Sequence, residues 1–167
     1  MAAKNSFTLS HNFNASPEKL FEAWTNPDQL KRWITPQGYS VLYVKGNIKA
    51  GGESQYCIAS KSGFEIWIKK FFKDFIPPAK LSYTQVYSNK QGGIEPHPTI
   101  KEFPVEILTT VMIDEKDGTD DKTTLALTWE PVNASTEQVT RFIDETFALS
   151  QEWGGLFRQL EEFLSSS

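Results

Sequence analysis

The first patterned stretch is Phe7 to Phe13, "FTLSHNF", in which Phe7, Leu9, His11 and Phe13 alternate with Thr8, Ser10 and Asn12. A period of two reads as a strand with one buried face. The period then changes. In "SPEKLFEAW", Leu20, Phe21 and Trp24 fall at i, i+1 and i+4, one side of a short helix. Ser16 is placed as its N-cap and Pro17 at its first position, where a missing N–H costs nothing. Asn26 and Pro27 repeat the arrangement ahead of Leu30 and Trp33. Helices of about two turns are marginal by themselves. Each is expected to be fastened by the tryptophan that closes it, a large buried surface on little backbone.

From Tyr39 to Pro131 the text is strand-like: "YSVLYVKGNI", "GESQYCIAS", "FEIWIKKFFKDF", "KLSYTQVYS", "PVEILTTVMIDE" and "KTTLALTW" are rich in β-branched and aromatic residues. Turn signals separate them, at Gly51-Gly52, Ser62-Gly63, Pro77-Pro78, Gly92-Gly93 and Asp117-Gly118. Short connections imply antiparallel neighbours. The exception is Ser88 to Pro104, a loop with three prolines and a length usually reserved for function.

The last segment, Ser135 to Leu164, reads as one long helix capped by Ser135. Val139, Phe142, Ile143, Thr146, Phe147, Ser150, Trp153, Phe157, Leu160 and Leu164 are spaced for one apolar face. Gly154-Gly155 interrupts it at about 1 kcal/mol per glycine relative to alanine, which suggests a kink, a close backbone approach or space left empty. The fold class that follows is α+β in the order β-α-α-β6-α. A seven-stranded curved antiparallel sheet wraps a long C-terminal helix, with two short helices after the first strand plugging the open end.

Composition narrows the function. A chain of 167 residues fits a single domain, 1–167. Net charge is −4 and the arginines are Arg32, Arg141 and Arg158, so no basic stripe is available to neutralise phosphates and nucleic acid is not an expected partner. Nothing approaches the about 20 apolar residues of a membrane span, and the N-terminus lacks a signal-like apolar run. With Cys57 as a lone cysteine, these features favour the cytoplasm. Two histidines and one cysteine, widely separated, do not make a metal set, and "AGGES" lacks the lysine and spacing of a phosphate loop. No cofactor is expected. The acidic pairs Asp120-Asp121 and Glu161-Glu162 read as solvated faces.

The aromatic share of 13% carries the most information. Tyr56, Trp67, Phe72, Tyr83 and Trp129 lie on predicted strands; Trp33, Phe142, Phe147 and Trp153 lie on predicted helices. Either they fill a close-packed core or they line a pocket, and tyrosine and tryptophan bring polar atoms that a pure filler does not need. His11 joins these candidates because its alternation points it inward. It is a half-buried histidine bonded to a neighbour, or a polar group that orients a ligand. His97, in "EPHPT", reads as a solvated loop residue or part of a lid.

The element order, together with "SPEKLFEAWTNPDQLKRW", "AGGESQY", "IPPAKLSYT", "PVEILTTVMIDEKDG", "TLALTWEPVNASTEQ" and "WGGLFRQLEEFL", resembles the START-like (SRPBCC) helix-grip superfamily. More narrowly it resembles the family named for the activator of the ninety-kilodalton heat-shock chaperone's ATPase. The resemblance runs from about Phe7 to Leu164. It implies a cavity between sheet and C-terminal helix, and relatives that include ligand carriers, cyclases, stress-response proteins and the chaperone activator itself. Three readings follow. The favoured one is binding of a small apolar or aromatic molecule without chemistry, in a cavity formed by His11, Trp33, Tyr56, Trp67, Phe72, Tyr83, Trp129, Phe142, Phe147 and Trp153. The others are a cyclase- or hydrolase-type enzyme using the same cavity, and a module that contacts a heat-shock chaperone.

Overall fold

The computed structural model describes residues 5–116 and 118–166, apart from the side chains of residues 42–44, 119 and 120. The expected turn at Asp117 and the side chain of Asp120 therefore lie outside the described residues. The elements run β1 (Phe7–Phe13), α1 (Pro17–Thr25), α2 (Pro27–Trp33), β2 (Tyr39–Gly46), β3 (Glu53–Ser60), β4 (Glu65–Ile76), β5 (Lys80–Ser88), β6 (Ile94–Glu95), β7 (Glu106–Lys116), β8 (Thr119–Val132), α3 (Thr136–Asp144) and α4 (Thr146–Ser165).

All seven expected strands form one antiparallel sheet in the order β1-β8-β7-β5-β4-β3-β2, and the two-residue β6 pairs with β5 inside the long loop. Register shifts at Val41/Tyr43, Phe72/Phe75 and Glu115/Lys116 let the sheet bend. Its edges, β1 and β2, are spanned by helices: α4 packs on β1 and on α2, and α2 packs on β2.

The helix starts obey their local chemistry. Ser16 Oγ accepts from Lys19 N, Asn26 Oδ1 accepts from Asp28 N, and Ser135 and Gln138 form a reciprocal capping box. The two short helices are held by tryptophans. Trp33 is fully buried and its Nε1 donates to Ala23 O at 2.9 Å, which locks α2 to α1. Trp24 meets Trp33 edge-on at 4.9 Å between ring centroids and stacks on Trp153 of α4 at 5.8 Å and 11°. From the other side, Gln159 of α4 donates to Trp33 O and Thr35 O at 2.7 and 2.8 Å.

The C-terminal segment departs from expectation. It is two helices, broken at Glu145, nine residues before the glycine pair, and α4 runs unbroken through Gly154-Gly155. The Glu145 N–H still reaches Arg141 O and Phe142 O, so the chain stays right-handed across the break. The buried stripe nevertheless stays in helical phase across the break, and Ile143 and Phe147, one and five residues on from Phe142, fall about 100° and 140° round the helix from it. Leu149, Trp153, Leu156, Phe157 and Leu160 face the sheet from α4, whereas from α3 it is Phe142 that is buried. Ile143 and Phe147, expected inside, are 47% and 75% exposed.

Candidate functional site

Strand alternation and register decide which side chains meet at the centre. Tyr56 pairs with Ile68, Ile68 with Tyr87, Lys70 with Gln85, and Phe72 with Tyr83. These residues share the inner face, where Thr109 and Trp129 continue the row across β7 and β8. Between this face and α4 lies a hollow of about 70 Å³. Its floor is Tyr56, Ile68, Lys70, Tyr83, Tyr87 and Trp129; Trp153, Glu152 and Leu156 roof it; Ile34 and Pro36 close one side. Pro36, Glu152 and Leu156 also line a wider surface groove of about 580 Å³ that runs past Gly155 and Arg158. The mouth of the hollow therefore adjoins that groove. Another groove, about 450 Å³, between α1, α2 and the end of α4 is lined mostly by solvent-facing charged groups such as Lys19, Asp28 and Arg32.

The hollow is small. A volume of about 70 Å³ has room for a handful of waters or a fragment of about as many heavy atoms. Sites for drug-sized ligands are several times larger, about 300–1,000 Å³.

The electrostatics of the hollow centre on Lys70. Its side chain is 97% hidden, at 3% exposure, and its Nζ sits over two aromatic faces, 4.5 Å from the Tyr83 ring centroid and 5.1 Å from that of Tyr56. Removal from water penalises the ammonium and lowers the Lys70 pKa to about 7. The same burial raises Tyr56, Tyr83 and Tyr87 above the ordinary phenol range, so they remain neutral. Glu152 is exposed overall, but its carboxyl at the mouth loses enough water to be raised above the usual carboxylate range. Trp129 is 6% exposed, and its Nε1 is buried with no hydrogen-bond partner.

Of the ten residues expected to form the cavity, Tyr56, Tyr83, Trp129 and Trp153 line it. The others lie elsewhere. Trp33 is in the α1–α2 wedge, Phe72 packs edge-on against Tyr83 at 5.6 Å, and Phe142 packs on Phe103 at 6.0 Å, all three in the core. Trp67 faces the opposite side of β4, because it is odd-numbered where Ile68 and Lys70 are even; its Nε1 donates to Glu65 Oε1 at 3.2 Å. Phe147 points to solvent for the reason given above. His11 stays on the inner face at the sheet edge, where it packs against Phe13 and Phe157 and its Nε2 pairs with Glu161 Oε1. His97 is not a solvated loop residue. Its Nδ1 accepts from Thr99 N and Ile100 N, its ring lies between Tyr87 and Phe103, and burial lowers its pKa to about 4.

Sequence reasoning missed Lys70, Gln85, Tyr87 and Glu152. The signal for Lys70 was available: Ile66, Ile68, Lys70 and Phe72 occupy alternate positions of one strand, so a lysine interrupts an apolar row. Among the described residues no group of three or more His, Cys, Asp or Glu could hold a metal ion, and no helix is long and apolar enough to cross a membrane.

A search of the curated proteins found no match. The solved structures it resembles share the fold at low identity. A Mycobacterium smegmatis protein aligns over 97% of this chain and 91% of its own, with 15% identity and a TM-score of 0.77. An Arthrobacter aurescens protein aligns over 97% and 87%, with 17% identity and a TM-score of 0.78. The AHSA1 protein of Silicibacter pomeroyi aligns over 96% and 97%, with 14% identity and a TM-score of 0.71. A family model described as "Activator of Hsp90 ATPase homolog 1-like protein" matches residues 14–165. That match takes in the two short helices, strands β2 to β8, α3 and α4, leaving β1 just outside it, and the chain belongs to this family.

Proposed function

We propose that this protein binds a small apolar or aromatic molecule between its sheet and α4, without chemistry of its own. One observation carries the reading: a central hollow walled by Tyr56, Tyr83, Tyr87, Trp129 and Trp153, adjoining a wider groove. Apolar walls with a few convergent polar groups are the usual make-up of a small-molecule site. The size of the hollow sets the binding mode. A ligand larger than a few heavy atoms keeps one end inside and lays the rest along the groove past Pro36, Glu152 and Leu156. His11, outside the hollow, gives no support to acid–base catalysis there. The lone buried thiol of Cys57 fits a reducing, cytoplasmic setting.

Trp129 and Trp153 are built-in reporters. Titration with a panel of short fatty acids, aromatic metabolites and their neutral analogues should give saturable changes in tryptophan emission, weakened in Trp153→Phe. No saturable response to any member at about millimolar concentration, a binding free energy weaker than about −4 kcal/mol, overturns the reading.

A second reading, contact with a heat-shock chaperone, rests on the family match. Its test is a titration against the isolated middle domain of the chaperone. An absence of binding at tens of micromolar, about −6 kcal/mol, removes it.

A further inference from the structure

Beside tyrosine hydroxyls and the Glu152 carboxyl, which can accept, the lining of the hollow includes strong hydrogen-bond donors. Lys70 offers an ammonium and no acceptor, Trp129 offers an indole N–H and no acceptor, and Gln85 brings an amide that contains two more donors. Among the described residues no carboxylate or carbonyl takes a hydrogen bond or ion pair from Lys70 Nζ, and Trp129 Nε1 is buried without a partner. Trp129 Nε1 is closed off from bulk water, and Lys70 is 3% exposed, which leaves its ammonium little water beyond the hollow itself. They belong to β4 and β8 and reach the same hollow from separate strands of one sheet. A buried cation without a counter-ion and, three strands away on the same inner face, a buried donor without an acceptor have one common remedy: a guest that brings negatively charged oxygen.

We propose that the hollow is a receptor for a monocarboxylate, whose oxygens are held by Lys70 Nζ and Trp129 Nε1 while its apolar remainder runs along Tyr87 and Trp153 to the groove. This rests on the small-molecule reading above and specifies the ligand's chemical class. One lysine matches one negative charge, and about 70 Å³ admits a carboxyl group with a few carbons. A phosphate monoester, larger and more highly charged, matches the site less well on both counts.

Binding of this kind is linked to protonation. The titratable groups that face Lys70 are Tyr56 of β3, Tyr83 and Tyr87 of β5, and Glu152 of α4; the linings from β8 and from Ile34 and Pro36 add none. The tyrosines stay neutral and Lys70 discharges at about pH 7; Glu152 at the mouth is raised by desolvation, and its ionisation as pH rises opposes an anion in the same direction as the discharge of Lys70. A carboxylate needs the ammonium form, and its affinity should fall as Lys70 loses its proton above about pH 7.

The experiment uses the full chain with two isosteric pairs, butyrate against butyramide and phenylacetate against phenylacetamide, read by tryptophan emission and calorimetry. At about pH 6.5, below the Lys70 pKa of about 7, the carboxylates should bind at least about tenfold tighter than their amides, the discrimination that about 1.4 kcal/mol gives. The preference should shrink by about tenfold per pH unit above about 7, where each unit removes that share of the ammonium. Amide binding should stay level across the same range. Lys70→Met should abolish the preference while amides still bind. Should that variant fail to fold, the pH series on the unaltered protein decides by itself. Equal, pH-independent binding of acid and amide overturns the carboxylate assignment and leaves the apolar-ligand reading standing. Binding of neither overturns both.

Discussion

Replacing Lys70 by methionine should make the protein more stable, and the size of the gain can be worked from the site. The interval from 10.5 to about 7, at about 1.36 kcal/mol per pH unit, corresponds to about 4–5 kcal/mol for holding the ammonium out of water. The faces of Tyr56 and Tyr83, at 5.1 and 4.5 Å, return about 1–2 kcal/mol through cation–π attraction. The net cost near pH 7 is about 2–3 kcal/mol. Methionine has a similar length, needs no hydration and suits an irregular gap. In a chain of 167 residues, a gain of that size raises Tm by about 5–10 °C.

The sign with pH is fixed by linkage. The folded pKa lies below the unfolded one, so between about 7 and 10.5 the unfolded chain holds a proton that the folded chain has released. Stability contributed by Lys70 is therefore lost as pH falls toward 7 and regained as pH rises. Cys57, raised by burial, works the other way once an unfolded thiol ionises above about pH 8.5, and the raised tyrosines do so near about pH 10. Subtracting wild type from Lys70→Met removes those shared contributions. Urea melts of both proteins at several pH values should show the variant ahead by about 2–3 kcal/mol near pH 7, with the gap closing toward pH 10. A variant less stable than wild type, or a gap that ignores pH, would refute the account of a desolvated, unpaired lysine.

Further outcomes follow from the same contacts. Gly154→Ala and Gly155→Ala should each stabilise by about 1 kcal/mol in chemical melts, since the added Cβ meets only the Arg158 guanidinium at 3.9 and 3.7 Å. Phe142→Ala, at a fully buried position, should cost about 3–5 kcal/mol, while Phe147→Ser should stay within about 0.5 kcal/mol; equal costs in chemical melts would refute the placement of Phe142 inside and Phe147 in solvent. His97, held at about 4 against an ordinary 6.5, should withdraw about 2–3 kcal/mol of stability as pH falls from about 6.5 to 4. His97→Phe, which loses the acceptor for Thr99 N and Ile100 N, should begin about 1–2 kcal/mol lower at pH 7 and should not share the acid loss, so the two melting curves should converge in acid.

The strands and helix starts were legible because their determinants are local. Period-two alternation places Phe7, Leu9, His11 and Phe13 on the inner face, and Ser16, Asn26 and Ser135 cap with their own side chains. The break at Glu145 was not. Its neighbourhood, "RFIDETFALS", contains no glycine or proline, and apolar residues recur at helical spacing straight across it. Glu145 itself keeps φ −91° and ψ −2°, a conformation any residue adopts. A helix can be interrupted there without a breaker, and each half is held by what it packs against. Phe142 finds Phe103 on the sheet side, and Trp153 finds Trp24 and Trp129. Those partners are more than twenty residues distant in sequence, beyond any window of periodicity.

The lining of the hollow was legible only in part, for a different reason. Aromatic content drew attention to Tyr56, Tyr83, Trp129 and Trp153, but it treated strand residues as a set when alternation sorts them. Trp67 and Phe72, five apart in β4, cannot face the same way in its regular part, and register with Tyr56 and Tyr83 assigns Phe72 inward. The same parity bears on "IKKFF". Two adjacent lysines in a strand point to opposite faces, so if both faces are covered or one is core, one lysine must be inside. Lys69 finds Glu53 at 3.4 Å on the outer side, an ordinary ion pair. Lys70 finds only ring faces. A fold whose other inner positions are filled by apolar or neutral polar groups gains nothing in stability from a lysine there; methionine or leucine would hold the sheet to α4 better. The physical meaning of Lys70 is therefore a deficit located in a cavity, and such a deficit is relieved when a molecule of opposite charge enters.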